Sequence, residues 1–532
     1  MQFGIQNSVI AWDDPWHRES CKTMMRTGEG AWFPSQDPPP DKREFLSFIT
    51  EHLGVDFYVH HVMPNDSEIL DLISDLNEYG MDYILANEFG NANLCYTPGT
   101  NRYDVPHKLV EQAQKSKYFQ GLLYDETEHL QLNNLIYQKD PHLFQWGNPN
   151  GLSVREMQEQ TVRTVKELVE SYNCPVYGEV LFCTMYHAFC RGGMRISAKA
   201  VKEIWQPIQM AVAMGAAKQY EKPLSVTVDL WGPDVGPWFT RLWGFPGHSP
   251  QEFANGLEMT YYLSPDRMFV ENCDPLLLHR DKFSFTEFGE VCRDFIRNHK
   301  GKDLPYSASD CVAEIAVIRS DDGIFSDKGT FYGKGLYGAD SPMPDEKSGS
   351  FFKVMHVLSH GTLPDCGSTP YLTGHDCFPN AKYPRDPETL RKFPLEKGVA
   401  DEISHTLFRP LNNVLVFDSF ADERCLRETR LIIVCGSWLS EETAEIIVKK
   451  AEQGAFVIAA EWFRPQLNGS RILFVSDFLG RDFYDAVSVY IGKDDEWRVK
   501  FPNRQLIITN PSKDGITLKF ELQEENNADD SL

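Results

Sequence analysis

Residues 107–172 hold the stretch that decides the fold. His107 to Phe119 has a helical pattern, Gly121-Leu122-Leu123-Tyr124-Asp125 is a short apolar run closed by an acid, and Val154 to Tyr172 is again helical. A buried strand between two helices is the repeating unit of a parallel α/β fold. On the N-terminal side the same alternation reads Phe3 to Trp12 as strand, Lys42 to Leu53 as helix and Val55 to Val62 as strand. Asp66 to Tyr79 follows as a helix capped by Asp66 or Ser67, then Met81 to Ala86 as the third strand.

On the C-terminal side, Pro175 to Phe182 reads as strand five and Lys199 to Glu221 as helix. Leu224 to Leu230 reads as strand six, Ser249 to Leu263 as helix, Arg267 to Glu271 as strand seven and Phe285 to His299 as helix. Leu304 to Ser309 supplies a short eighth strand. Eight units in about 310 residues match a (β/α)₈ barrel.

The pattern restarts after Ala313, with Glu314 to Arg319, Asn413 to Phe417, Leu431 to Cys435 and Ala455 to Ala460 as strands. Phe351 to Ser359 and Ser440 to Gln453 read as helices. This predicts a small doubly wound α/β domain, with no GxGxxG to bind a dinucleotide. From Arg471 onward, RILFV, AVSVYI, QLIITN and ITLKFEL predict a small β domain with a polar tail. The expected boundaries are 1–311, 312–465 and 466–532.

Of 532 residues, 52 are basic and 77 acidic, a net charge of −25. That balance argues against nucleic acid and against an anionic membrane surface, because both need clustered Lys and Arg. No basic leader with an apolar core follows Met1, and no run approaches a membrane span. Twelve cysteines are scattered, the closest pair being Cys183 and Cys190, with no CxxC, so reduced buried thiols and a cytoplasmic location are expected.

Barrel enzymes gather their chemistry at the C-terminal ends of the strands. Those ends are rich in acids here: Asn87-Glu88, Tyr124-Asp125-Glu126 with Glu128 beyond, Glu179, Asp229, and Glu271-Asn272. Two facing carboxyl groups are what glycoside hydrolysis requires, one as proton donor and one as nucleophile or base. Trp12, Trp231 and Trp238 stand beside them, and flat sugar faces stack on such rings. His60 and His61 alternate faces, so one of them points inward as a sugar ligand or a satisfied core histidine.

Gly121-Leu122-Leu123-Tyr124-Asp125-Glu126 resembles the strand-four acid/base segment of clan A glycoside hydrolases, with Asp125 where that clan has Asn. Met268-Phe269-Val270-Glu271-Asn272 resembles the clan's strand-seven nucleophile segment. The barrel, α/β domain and β domain together resemble the bacterial three-domain β-galactosidases, whose second domain is glutamine-amidotransferase-like and supports a trimer.

The resemblance implies a retaining glycosidase acting on a carbohydrate without metal or cofactor, assembled as a homotrimer or other homo-oligomer. Glu126 becomes the acid/base with a raised pKa, and Glu271 the nucleophile with a low one. Glu88, which keeps the Asn-Glu pair, and Glu128 are the alternative acid/bases. Trp12, His61, Asn87, Glu88, Tyr124, Asp125, Glu179, Asp229, Trp231, Trp238 and Asn272 become substrate ligands. Glu271 is otherwise a structural ion-pair partner, Glu179 a supporting acid, and His187 with Arg191 a loop ion pair or a ligand pair. Val434-Cys435-Gly436-Ser437-Trp438 lacks the G-x-[CS]-x-G turn of a nucleophile elbow, so the second domain is structural or oligomeric. Two other functions fit the sequence: a metal-dependent or lyase-type barrel using His61, Asp229 and Glu271, and a non-catalytic carbohydrate-binding protein.

Overall fold

A computed structural model describes residues 1–7, 15–16, 40–62, 65–88, 102, 104–132, 145–180, 183–200, 206–229, 249–271, 273, 276–279, 281–322, 346–362, 408–513 and 516–524. Eight parallel strands close into a barrel in chain order. They are β1 (Gln2–Gln6), β2 (Phe57–His61), β3 (Asp82–Glu88), β4 (Phe119–Asp125), β5 (Val176–Val180), β6 (Arg195–Ala200), β7 (Leu224–Asp229) and β8 (Arg267–Glu271). β8 pairs back onto β1 with Gln2 opposite Arg267.

The barrel was expected, but two of its strands were misread. β6 falls where the sequence reads as the start of a helix at Lys199; the helix begins at Gln206. Leu304 to Ser309 is not a strand; Ala308–Asp310 is one turn of 3₁₀ helix. Asp229 therefore ends strand seven rather than six, and Glu271 ends strand eight rather than seven. Helix Asp66–Tyr79 is capped by Asn65, whose side chain accepts from Ser67 N and Glu68 N, one residue before the expected cap. Val154–Tyr172 and Pro250–Leu263 each begin with a capping box, on Ser153 and on Ser249.

The barrel interior is a separate apolar cluster of Phe57, Val59, Ile84, Ala86, Leu123, Tyr177 and Phe269. Gly4 is required beside it, because a Cβ there would lie 2.5 Å from the Phe57 ring. At the N-terminal end Arg267 donates to Gln2 Oε1 and Gln120 Oε1, each at 2.7 Å, and to the Tyr177 hydroxyl at 3.2 Å. That polar plug closes the bottom.

After the hairpin β9–β10 (Leu277–His279, Phe283–Phe285) comes a five-stranded parallel sheet. Its strands are β11 (Ile315–Arg319), β13 (Val414–Asp418), β14 (Leu431–Val434), β15 (Phe456–Ala460) and β16 (Ile472–Val475), in the order β13-β11-β14-β15-β16. A four-stranded sheet joins β12 (Leu411–Asn412), β17 (Glu496–Phe501), β18 (Arg504–Thr509) and β19 (Lys519–Glu524). Two corrections follow. Ile472–Val475, read as the first strand of the last domain, is the edge of the parallel sheet. Ala486 to Ile491, read as a strand, begins inside helix Arg481–Val487, which buries Phe483 and Val487 one turn apart.

Helix Gln206–Gln219 lies between barrel and parallel sheet, and every residue but Lys218 is buried. Its small residues let β13 approach so closely that a Cβ on Gly215 would sit 1.9 Å from the Val416 carbonyl oxygen. Polar bonds fix the same junction. Asp418 accepts from Gln219 Nε2 at 2.5 Å and from the Tyr220 hydroxyl at 2.6 Å. Asp321 accepts from Met185 N at 2.9 Å and pairs with Arg319 at 2.8 Å. Of the eight described cysteines, seven are buried and Cys174 is half-buried. No helix among the described residues is long and apolar enough to cross a membrane.

Candidate active site

Side chains alternate in and out along a strand, so the last inward position of each barrel strand forms one layer at the mouth. Phe57 and Val59 place His61 there on β2, Leu123 places Asp125 on β4, Tyr177 places Glu179 on β5, and Phe269 places Glu271 on β8. The same parity puts Gln6 on β1, Lys199 on β6 and Asp229 on β7 in this layer. All seven are buried, Gln6, Lys199, Glu179 and Asp229 completely.

The Lys199 ammonium is the centre of the layer. It contacts Glu271 Oε2, Glu126 Oε1 at 2.9 Å, Asp125 Oδ1 at 3.1 Å and Asp229 Oδ2 at 3.5 Å. Burial alone would drive its proton off, but Asp125, Glu126, Glu271 and Asp229 outweigh burial and hold its pKa well above the ordinary lysine value. Beneath it the hydroxyls of Ser197 and Thr227 bond at 2.8 Å, tying β6 to β7.

His61 braces Asp125 from behind. Its Nδ1–H donates to the Asn7 carbonyl at 2.6 Å, and its Nε2 stands 3.2 Å from Asp125 Oδ2 and 2.9 Å from Gln6 Nε2. Burial pushes the Asp125 carboxyl up, but Lys199 and the His61 bond prevail and hold it below the usual range. Glu179 is pushed well up by burial and by Asp125. Glu271 is likewise pushed well up, by burial and then by Asp229, with Lys199 opposing. This reverses the expected low pKa for Glu271. The sequence already read it as a buried acid on a strand; the fold adds a second carboxylate, Asp229, beside it.

Glu126 differs from the others. It lies one residue past β4, in the left-handed region at φ 44°, and its side chain is 18% exposed. A non-glycine residue held there stores strain on the order of 1–3 kcal/mol, which is commonest at functional sites. The turn brings an acid with some solvent access onto the same ammonium as the buried ones.

Asp125, Glu179 and Glu271 offer oxygens within 4.8 Å of one another, a spacing that suits a divalent cation. Lys199 already stands against two of the three. His61, Asp229 and Glu271, the trio of the metal-dependent reading, form no such group among the described residues.

Several expected ligands lie elsewhere. Tyr124 faces outward, where its hydroxyl donates to Asp104 Oδ1 at 2.8 Å, because it is one residue out of phase with Leu123 and Asp125. Asn87 is buried with the outward parity of Tyr83 and Leu85. Glu128 is buried in helix Thr127–Leu132. His187 bonds the Val416 carbonyl at 3.2 Å and Arg191 pairs with Glu159 at 2.8 Å. Trp12, Trp231, Trp238, Asn272 and the Glu88 side chain lie outside the described residues.

Lys199 is the residue that sequence reasoning missed. Its signal was the alternation in Arg195-Ile196-Ser197-Ala198-Lys199-Ala200, shortly after Gly192-Gly193.

No family model matches the sequence, and no curated protein matches it. Solved structures that resemble the chain include an exo-β-1,4-mannosidase from Opitutaceae bacterium strain TAV5, at 9% identity and TM-score 0.43 over 99% of this chain and 86% of that one. A GH113 β-1,4-mannanase matches at 14% identity and TM-score 0.28, over 51% and 88%. The carboxyl transferase domain of Rhizobium etli pyruvate carboxylase matches at 10% identity and TM-score 0.29, over 99% and 88%. At these TM-scores the likenesses carry no argument about activity. The eight-stranded barrel rests on the strand pairing itself.

Proposed function

We propose that the chain is a retaining glycoside hydrolase, with Glu126 as acid/base and Glu271 as nucleophile. The observation that carries this reading is the shared Lys199 ammonium. Two carboxylate oxygens on one nitrogen, each at hydrogen-bond range, lie at most about 6 Å apart. Retaining enzymes hold their carboxyl groups about 5–5.5 Å apart, whereas inverting ones leave about 6.5–9.5 Å for a water.

In the first step Glu126 gives its proton to the glycosidic oxygen while a Glu271 oxygen bonds the anomeric carbon and the aglycone leaves. In the second, Glu126 takes a proton from water, whose oxygen displaces Glu271 from that carbon. Glu126, partly exposed, is placed to exchange protons with solvent; buried Glu271 is shielded from it.

A second reading has its own observation. The added barrel strand puts Asp229 at the end of strand seven, the place that the clan A resemblance gives to the nucleophile. Asp229 and Glu271 are register partners, and both reach Lys199. The β-galactosidase-like specificity, the flavodoxin-like character of the five-stranded sheet and a trimeric assembly belong to the same proposal, and they rest on the sequence resemblance together with the 2-1-3-4-5 strand order.

An aryl-glycoside screen with proton NMR of the first-formed anomer tests the reaction. Glu271→Gly then decides the nucleophile: with azide it yields a glycosyl azide of inverted configuration, while Asp229→Gly does not. The opposite result transfers the role to Asp229, and inversion in the wild type removes the retaining mechanism.

A further inference from the structure

A buried lysine in a barrel mouth has two usual chemistries. As a neutral amine it attacks a carbonyl, and as an ammonium it organises negative charge. The geometry here decides between them. Lys199 is surrounded by Asp125 and Glu126 from β4 and its turn, Asp229 from β7 and Glu271 from β8. Glu179 faces the same cluster from β5, and His61 stands behind Asp125 from β2. Such surroundings retain the proton, so the nucleophilic role is closed to it.

The position of the ammonium is specific as well as its charge. Of the two carboxylates assigned to bond cleavage, one is buried and the other is on a strained turn, and Nζ is bonded to both. We propose that Lys199 is a positioning residue for the glycosidic reaction, fixing the spacing of Glu126 and Glu271 and supplying the counter-charge for the Glu271 carboxylate. The inference rests on the glycosidase reading above. The sugar must enter between the two glutamates, so substrate exchanges with one of the two lysine contacts. Glu126 is the partner with room to release it.

Removing the ammonium leaves Glu271 among Asp125, Glu179 and Asp229 with no cation in contact among the described residues, so its carboxylate forms only at higher pH. In Lys199→Met the acid limb of kcat/KM moves up by about one to three pH units, a loss of about 10- to 1000-fold on the acid side. Lys199→Arg keeps the charge, and therefore the limb, but its planar fork misplaces the pair, lowering kcat at least tenfold at unchanged KM. Ethylammonium added to Lys199→Ala at constant ionic strength moves the limb back, and tetramethylammonium, with no N–H to donate, does not.

Thermal melting checks that each variant is folded. If Lys199→Met does not fold, Lys199→Arg carries the test, and wild-type kcat in it overturns the positioning role. An unmoved acid limb in folded Lys199→Met overturns the counter-charge role. Either result, with the wild type turning over glycosides, leaves the glycosidase reading standing. A wild type inactive across the panel removes that reading and this inference together.

Discussion

Replacing Glu179 by glutamine keeps the shape of the side chain and removes its charge. In the native protein Glu179 is completely buried on β5, facing Asp125, and burial first and Asp125 second push its pKa well up. In the unfolded chain an ordinary glutamate titrates near pH ~4.3. Between that pH and the native pKa, the unfolded chain has lost the proton and the native state keeps it. The unfolded state then binds fewer protons, so stability falls as pH rises. The slope for one group is about 1.4 kcal/mol per pH unit. Glu179→Gln lacks this term.

Urea unfolding of both proteins from pH 4 to pH 8 measures it. Near pH 4 the two differ by a constant offset, the cost of placing an amide in the site. Above that, the variant gains on the wild type by about 1.4 kcal/mol per pH unit until the native pKa is passed, and then the difference is flat. A difference that is independent of pH, or that grows in favour of the wild type, would refute the claim that Glu179 is held protonated by its surroundings.

Two further outcomes follow from the packing. Tyr124→Phe removes the outward bond to Asp104 and costs about 1–3 kcal/mol in urea unfolding while KM changes less than twofold; a tenfold rise in KM would return Tyr124 to the mouth. Gly215→Ala drives a methyl group against the Val416 carbonyl and costs about 1–3 kcal/mol or more, again by urea unfolding; a neutral result would mean that helix Gln206–Gln219 does not pack on β13 so closely.

Which elements the chain forms was largely legible in one dimension. Helices 66–79 and 154–172 have the expected bounds because their apolar period and caps are local properties. The short strands before Asp125, Asp229 and Glu271 were legible for the same reason. β6 was not, since Arg195 to Ala200 offers one large apolar residue, Ile196, beside two alanines, a serine and two cations, a composition that runs on into the following helix. Missing it displaced Asp229 and Glu271 by one strand.

The sequence by itself determined that acids close the barrel strands, because a strand's end and its alternation are written in neighbouring residues. Only the tertiary structure decided what those acids face. Barrel closure brings β4, β6, β7 and β8 together across 147 positions of chain, from Asp125 to Glu271, and puts one lysine among four carboxylates. Charge separations of a few ångströms set the ionisation of Asp125, Glu179 and Glu271, and such distances are properties of closure, not of spacing along the chain.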